Sequence, residues 1–169
     1  MTVDWAAVYR DTYQDLVRFL HRKVWDADRA QDLAQEAFMR VLDQEPESPK
    51  SFLFTVAANL ARDEARAAIR HRRHLTLIKA EAEAEERSAE DPIQKLEHEQ
   101  RVASVRRALD RLSDRDREVL LLWDAGLNYE EIASQTGLAV KAIGTTLSRA
   151  RRRLVEAHEA LEDRDVAHR

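Results

Sequence analysis

Near the end of the chain stand residues 141–154, KAIGTTLSRARRRL. Small and hydroxylated side chains come first and arginines follow, a combination that suits contact with base edges and phosphates. A helix here places Ile143 and Leu147 against a core shared with Ile132, Leu138 and Val140. Lys141, Ala142, Thr145, Ser148, Arg149 and Arg152 then point outward, as a face that enters a major groove must. A solvated helical hairpin with one basic side has the same charge pattern. The turn residue Gly137, the small Ala133 where two helices would cross, and the one-sidedness of the cations favour DNA.

The chain as a whole is acidic, with net charge -4, but its charge is regional. Residues 141–153 carry five cations and no acid, and 62–73 carry Arg62, Arg66, Arg70, Arg72 and Arg73 against Asp63 and Glu64. Between these two basic islands, 79–100 is strongly acidic. Charge beyond about 8 Å is screened at physiological salt, so local charge decides what touches phosphate.

Other chemistries have little to work with. His71 and His74 have a spacing that suits one metal ion, but they sit in RHRRH, where neighbouring cations repel it. There is no cysteine, no phosphate-cradling glycine loop and no nucleophile triad. The expectation is therefore no catalytic residue, no metal and no cofactor. The N-terminus is charged throughout and no apolar run approaches the roughly 20 residues that span a bilayer. A soluble, cytoplasmic protein without membrane insertion is expected.

The elements that would position these residues are helical. Three Gly and three Pro against 36% charged residues suit helices better than tight turns. Trp5, Val8, Tyr9, Leu16, Phe19, Leu20 and Val24 predict a first helix over about 4–24. Ala30, Leu33, Ala34, Ala37, Phe38, Val41 and Leu42 predict a second over about 28–42, capped by Asp26 or Asp28. Ser48–Pro49 opens a third, with Phe52, Leu53, Val56, Ala57, Leu60 and Ala61 inward. Residues 79–91 read as a solvated linker or frayed helix, and Pro92 restarts order. Ser113 reads as a cap for a helix with Val119, Leu120, Leu122 and Trp123 in the core. A short helix ending at Gly137 and the long final helix complete an all-α chain.

Two stretches resemble one known family. ALDRLSDRDREVLLLWDAGLNYEEIASQTGLAVKAIGTTLSRARRRL is similar to region 4 of the bacterial sigma-70 family, in particular its extracytoplasmic-function (ECF) class. DADRAQDLAQEAFMRVL and SFLFTVAANLARDEARAAIRHRR resemble that family's region 2, with Val56, Ala57, Asn59, Asp63 and Arg66 in register with its WLxxIAxNxxxDxxR signature. The resemblance implies two small helical domains joined by an acidic linker: region 2 over 1–74, the linker over 75–92, and a helix-turn-helix region 4 over 93–169.

The resemblance also implies roles and partners. Gln31, Asp32, Gln35 and Glu36 would grip the clamp helices of the largest subunit of core RNA polymerase. Phe52, Asn59, Arg62, Arg66, Arg70 and Arg73 would engage the minus-ten element, Asn59 at a flipped base. Lys141, Thr145, Ser148, Arg149 and Arg152 would engage the minus-thirty-five element, with region 4 on the flap of the second-largest subunit. Promoter DNA and an anti-sigma factor complete the expected partners. Residues 31–36 also fit an ordinary solvated polar face, and Phe52 also fits a core. One departure stands out: Gly144 occupies a position where the family usually carries a basic reader, so upstream recognition should differ from the family norm. Two other readings share part of the pattern: a helix-turn-helix regulator that binds duplex DNA without polymerase, and a sigma-like decoy that occupies a partner.

Overall fold

The computed structural model describes residues 2–75 and 91–168, with backbone only for 68–75. Among the described residues there are seven helices and no strand, as expected. They are α1 (Trp5–Val24), α2 (Ala27–Val41), α3 (Pro49–Leu75), α4 (Pro92–Asp110), α5 (Asp114–Asp124), α6 (Tyr129–Thr136) and α7 (Val140–Ala167). The acidic stretch 79–90 lies outside the described residues.

Helices α1, α2 and α3 pack on one another as a three-helix unit. The Asp4 carboxylate accepts from the Ala7 N–H at 3.0 Å and starts α1. Trp25 ends it in the left-handed region at φ 56°, costing roughly 1 kcal/mol for a residue with a β-carbon. That conformation leaves Asp26 placed to cap α2, accepting from the Arg29 N–H at 2.9 Å. Of the two expected caps, Asp26 is thus the one used, and Asp28 lies in the first turn, where the helix dipole favours it. Leu16, Phe19, Leu20, Leu33, Ala34, Ala37, Leu53, Phe54 and Ala57 fill the centre, with Phe19 and Phe54 meeting edge to face at 5.3 Å.

Helices α4 to α7 form the second unit, with α7 packed on α4, α5 and α6. Ser113 caps α5, its Oγ accepting from the Asp116 N–H at 3.2 Å. Asn128 caps α6 in a reciprocal pair with Glu131, at 2.9 and 2.8 Å. Two expected core positions are corrected. Trp123 is exposed, and Leu121 is buried instead, because α5 is covered on two sides and Leu121 turns toward Arg22 and Trp25 of the first unit. Val140 is 47% exposed, because it is the first residue of α7 and the covered stripe begins one turn later at Ile143.

The two units touch through α1 with α5 and α3 with α6, and their buried apolar residues form one continuous cluster. Polar contacts dominate the rim. Lys23 pairs with Glu118, and Arg22 and Arg18 approach the Asp124 carboxylate at 3.0 and 3.5 Å. Lys50 Nζ donates to the Gly126 carbonyl at 2.9 Å, and the Gln135 amide donates to the Ser51 carbonyl. The Arg106 guanidinium lies over the Trp25 ring at 5.6 Å. An apolar centre with a polar, partly solvated rim is the make-up of an interface between domains. Lys23→Glu sets two carboxylates side by side and opens it. Small-angle scattering should show a larger radius of gyration for K23E, returning toward wild type when Glu118→Lys is added. An unchanged radius for K23E would mean the joint does not depend on this pair.

Candidate nucleic-acid interface

The second unit presents α7 by local means. Gly137 takes φ 72°, its N–H bonding the Ala133 carbonyl at 2.9 Å, and this left-handed turn ends α6 and redirects the chain. Ala133, Ile132, Ile143, Leu147 and Ala150 are buried where α6 and α7 meet the rest of the unit. This is the helix-turn-helix arrangement expected from the sequence.

Lys141, Thr145, Ser148 and Arg152 emerge exposed at i, i+4, i+7 and i+11, so they line one face of α7. Arg152 has Glu156 at 3.8 Å and is otherwise solvated. Arg149 differs from its four companions. Its Nη2 donates to Asp116 Oδ1 at 2.8 Å, and Arg153 Nη1 donates to Asp116 Oδ2 at 2.8 Å. The Asp116 side chain is 0% exposed. It lies in the first turn of α5, where the helix dipole also favours a carboxylate. The Arg149 hydrogen bond holds its carboxyl below the usual value of 3.8, against the opposing effect of burial, with Arg153 adding to the hold. Arg149 is therefore pinned at the edge of this exposed face, half-buried.

The other edge belongs to Gly144. A β-carbon there would lie 3.5 Å from both Cε2 and Oη of Tyr129, so the tyrosine ring fills the space beside the glycine. Thr146 is buried.

On the first unit, Asn59 is exposed and its Oδ1 accepts from Arg62 Nη1 at 3.1 Å. Both line a cleft of about 590 Å³ together with Lys23, Arg115, Glu118 and Gln135, so they face α5 and α6. Arg66 is exposed, and Phe52 is half-buried against the core. The side chains of Arg70, Arg73, His71 and His74 lie outside the described residues. Glu64 holds Arg29 through paired contacts of 2.7 Å, which lower its carboxyl pKa and fasten α3 to α2.

On α2, Gln31, Asp32 and Gln35 are exposed, and Glu36 pairs with Arg40 at 2.6 Å. Met39, 74% exposed, and Leu42 lie on the same side. Sequence reasoning missed Met39. The signal was its place outside the Leu33–Phe38 stripe. An apolar centre with acidic neighbours suits a protein partner better than a nucleic acid.

Fold and surface together define a two-unit helical DNA-binding protein with a helix-turn-helix and a separate exposed face on α2. Family models agree: Sigma-70 region 2 matches residues 8–80, and Sigma-70, region 4 matches residues 103–154. The chain is 30% identical over 154 residues to the ferric citrate uptake sigma factor FecI of Escherichia coli K12, covering 88% of this chain and 87% of that one. It is 29% identical over 150 residues to RNA polymerase sigma factor YlaC of Bacillus subtilis 168, covering 85% and 86%. Among solved structures it is similar to the sigma factor RpoE of Bartonella quintana, in complex with the anti-sigma factor NepR, with TM-score 0.64, 25% identity and coverage of 92% and 97%. The chain belongs to the sigma-70 family, in its extracytoplasmic-function class.

The Asp116 contact makes a pH-dependent prediction. Its folded pKa lies below its unfolded value, so the stability it contributes is full above that unfolded value and is lost as pH falls through the folded pKa. Asp116→Asn should remove this acid-limb component and lower stability near neutral pH by about 2 kcal/mol, discounted because both arginines are partly solvated. Thermal unfolding followed by circular dichroism at several pH values checks it. Identical melting curves for the two proteins at pH 7 would sink it.

Proposed function

We propose that this protein directs core RNA polymerase to specific promoters and assists their opening, the polymerase itself supplying the chemistry of RNA synthesis. One observation carries the reading: regions 2 and 4 match in order on one chain, each with its own exposed face. Region 2 binds the polymerase clamp helices through Gln31, Asp32, Gln35 and Glu36, with Met39 at the apolar centre. Long-range attraction between these acids and basic clamp residues raises on-rate and specificity, while Met39 supplies desolvated contact. Asn59 takes the flipped base of the minus-ten element, since one amide both donates and accepts. Phe52 supports that pocket from its half-buried place, and Arg62, Arg66, Arg70 and Arg73 follow the phosphates.

Region 4 docks α7 in the major groove of the minus-thirty-five element and meets the flap of the second-largest subunit. Lys141, Thr145, Ser148 and Arg152 make the free contacts. Arg149 contributes from the edge, its guanidinium oriented by Asp116. The protein acts in the cytoplasm, where the polymerase is, and makes no catalytic step of its own. The linker over 75–92 joins the two domains.

Separation matters because Asn59 and Arg62 face the cleft toward α5 and α6. Polymerase binding opens the joint and releases the minus-ten surface. An anti-sigma factor, the kind of partner bound to the Bartonella relative, is a further expected partner.

Core polymerase mixed with the protein and a promoter library should initiate transcripts from a defined promoter class. Asp32→Lys or Met39→Glu should weaken core binding about tenfold, equivalent to about 1.4 kcal/mol. Arg152→Ala should leave core binding intact and reduce initiation several-fold at the preferred promoter, as loss of one DNA contact does, worth about 1–3 kcal/mol. Duplex binding without polymerase, and no initiation with it, would instead identify a conventional regulator. Polymerase binding without initiation would identify a decoy.

A further inference from the structure

Tyr129 is the first residue of α6, so the Asn128–Glu131 capping pair fixes its backbone. Its ring is held from the sides as well. One edge lies beside the bare backbone at Gly144, and the ring leans on Trp123 with centroids 5.5 Å apart at 55°. Trp123 in turn lies under the Arg151 guanidinium at 5.7 Å. Gly144, Ser148 and Arg151 recur at i, i+4 and i+7, so this aromatic pair runs along the flank of α7 next to the reading face. Yet neither ring is buried: Tyr129 is 39% and Trp123 38% exposed.

An aromatic pair braced this firmly at the surface contributes little to the core and is already ordered for contact. The phenol both donates and accepts, and the ring edge offers an apolar surface to a thymine methyl. The ring packs beside Gly144. A β-carbon would still fit at ordinary contact distance, but a longer side chain would need the place the ring occupies.

We infer that Tyr129 is a specificity-determining residue for the upstream promoter element. When α7 lies in the major groove, its hydroxyl and ring edge meet a base edge beside those contacted by Lys141 and Ser148. Tyr129 reaches past Gly144 from a different helix. Because a single neutral hydroxyl forms no bidentate pair, discrimination at this position is weaker than an arginine would give. This inference rests on α7 being the upstream-reading helix.

The test uses holoenzyme and a promoter library randomised through the upstream element, with transcripts sequenced to give a base preference at each position. Tyr129→Phe keeps the ring and its packing and should cut discrimination about fivefold at one base-pair position, leaving the others unchanged. Gly144→Lys should displace the ring and change the preference at that same position, whereas Gly144→Ala should leave the profile as it is. A Y129F profile that superimposes on wild type overturns the inference. So does a uniform loss at all sequences, which would mark a phosphate or protein contact. Arg152→Ala separates the two levels of failure: if it changes neither the base preferences nor the level of initiation, α7 is not the upstream reader and the fault lies with that reading.

Discussion

The arrangement of region 4 depends on one buried carboxylate. Asp116 has no exposed side-chain surface, and both of its oxygens are taken by arginines from α7. Four arginines crowd residues 149–153 of that helix, and their mutual repulsion would work against ordering it. Asp116 neutralises part of that charge from the first turn of α5, where the helix dipole already favours an anion. Burying a carboxylate is costly in itself, so the ion pairs add more to orientation than to net stability. They tie α7 to α5, and Arg149 and Arg153 turn to Asp116 while other side chains stand on the open face.

That arrangement divides the basic helix by task. Arg149 and Arg153 turn toward Asp116, Arg151 lies over Trp123, and Arg152 alone of the four keeps company with Lys141, Thr145 and Ser148 on the open face. A run of like charges thus becomes one structural pair, one aromatic cover and one cation on the open face. Gly144 and Tyr129 bound the opposite edge of that face.

The two units meet at a joint of a different kind. Its rim is made of Lys23 with Glu118, Arg18 and Arg22 with Asp124, and Lys50 with the Gly126 carbonyl. Partly solvated ion pairs are individually weak and respond to salt and to competing charge. The interior of each unit, packed around Leu16, Phe19 and Leu33 or around Leu122, Ile132 and Ile143, carries the stability.

Much of this was legible in the sequence, because it depends on spacing and on local turn chemistry. Helical periodicity, the Ser48–Pro49 start, the Ser113 cap, the Gly137 turn and the exposed 31–36 face all follow from neighbours a few residues apart. The two family signatures in order were legible for the same reason. Tertiary structure alone decided the rest. Arg149 and Asp116 are 33 residues apart, Gly144 and Tyr129 lie on different helices, and Asn59 faces Glu118 only because the units close on each other. A helical stripe says which residues turn inward, but not which carboxylate, ring or neighbouring domain meets them. That depends on how the helices are rotated and packed, which no local pattern encodes. The glycine in KAIGTTLSRARRRL shows the difference: in the sequence it is a missing contact, and in the folded protein it is the space a tyrosine fills.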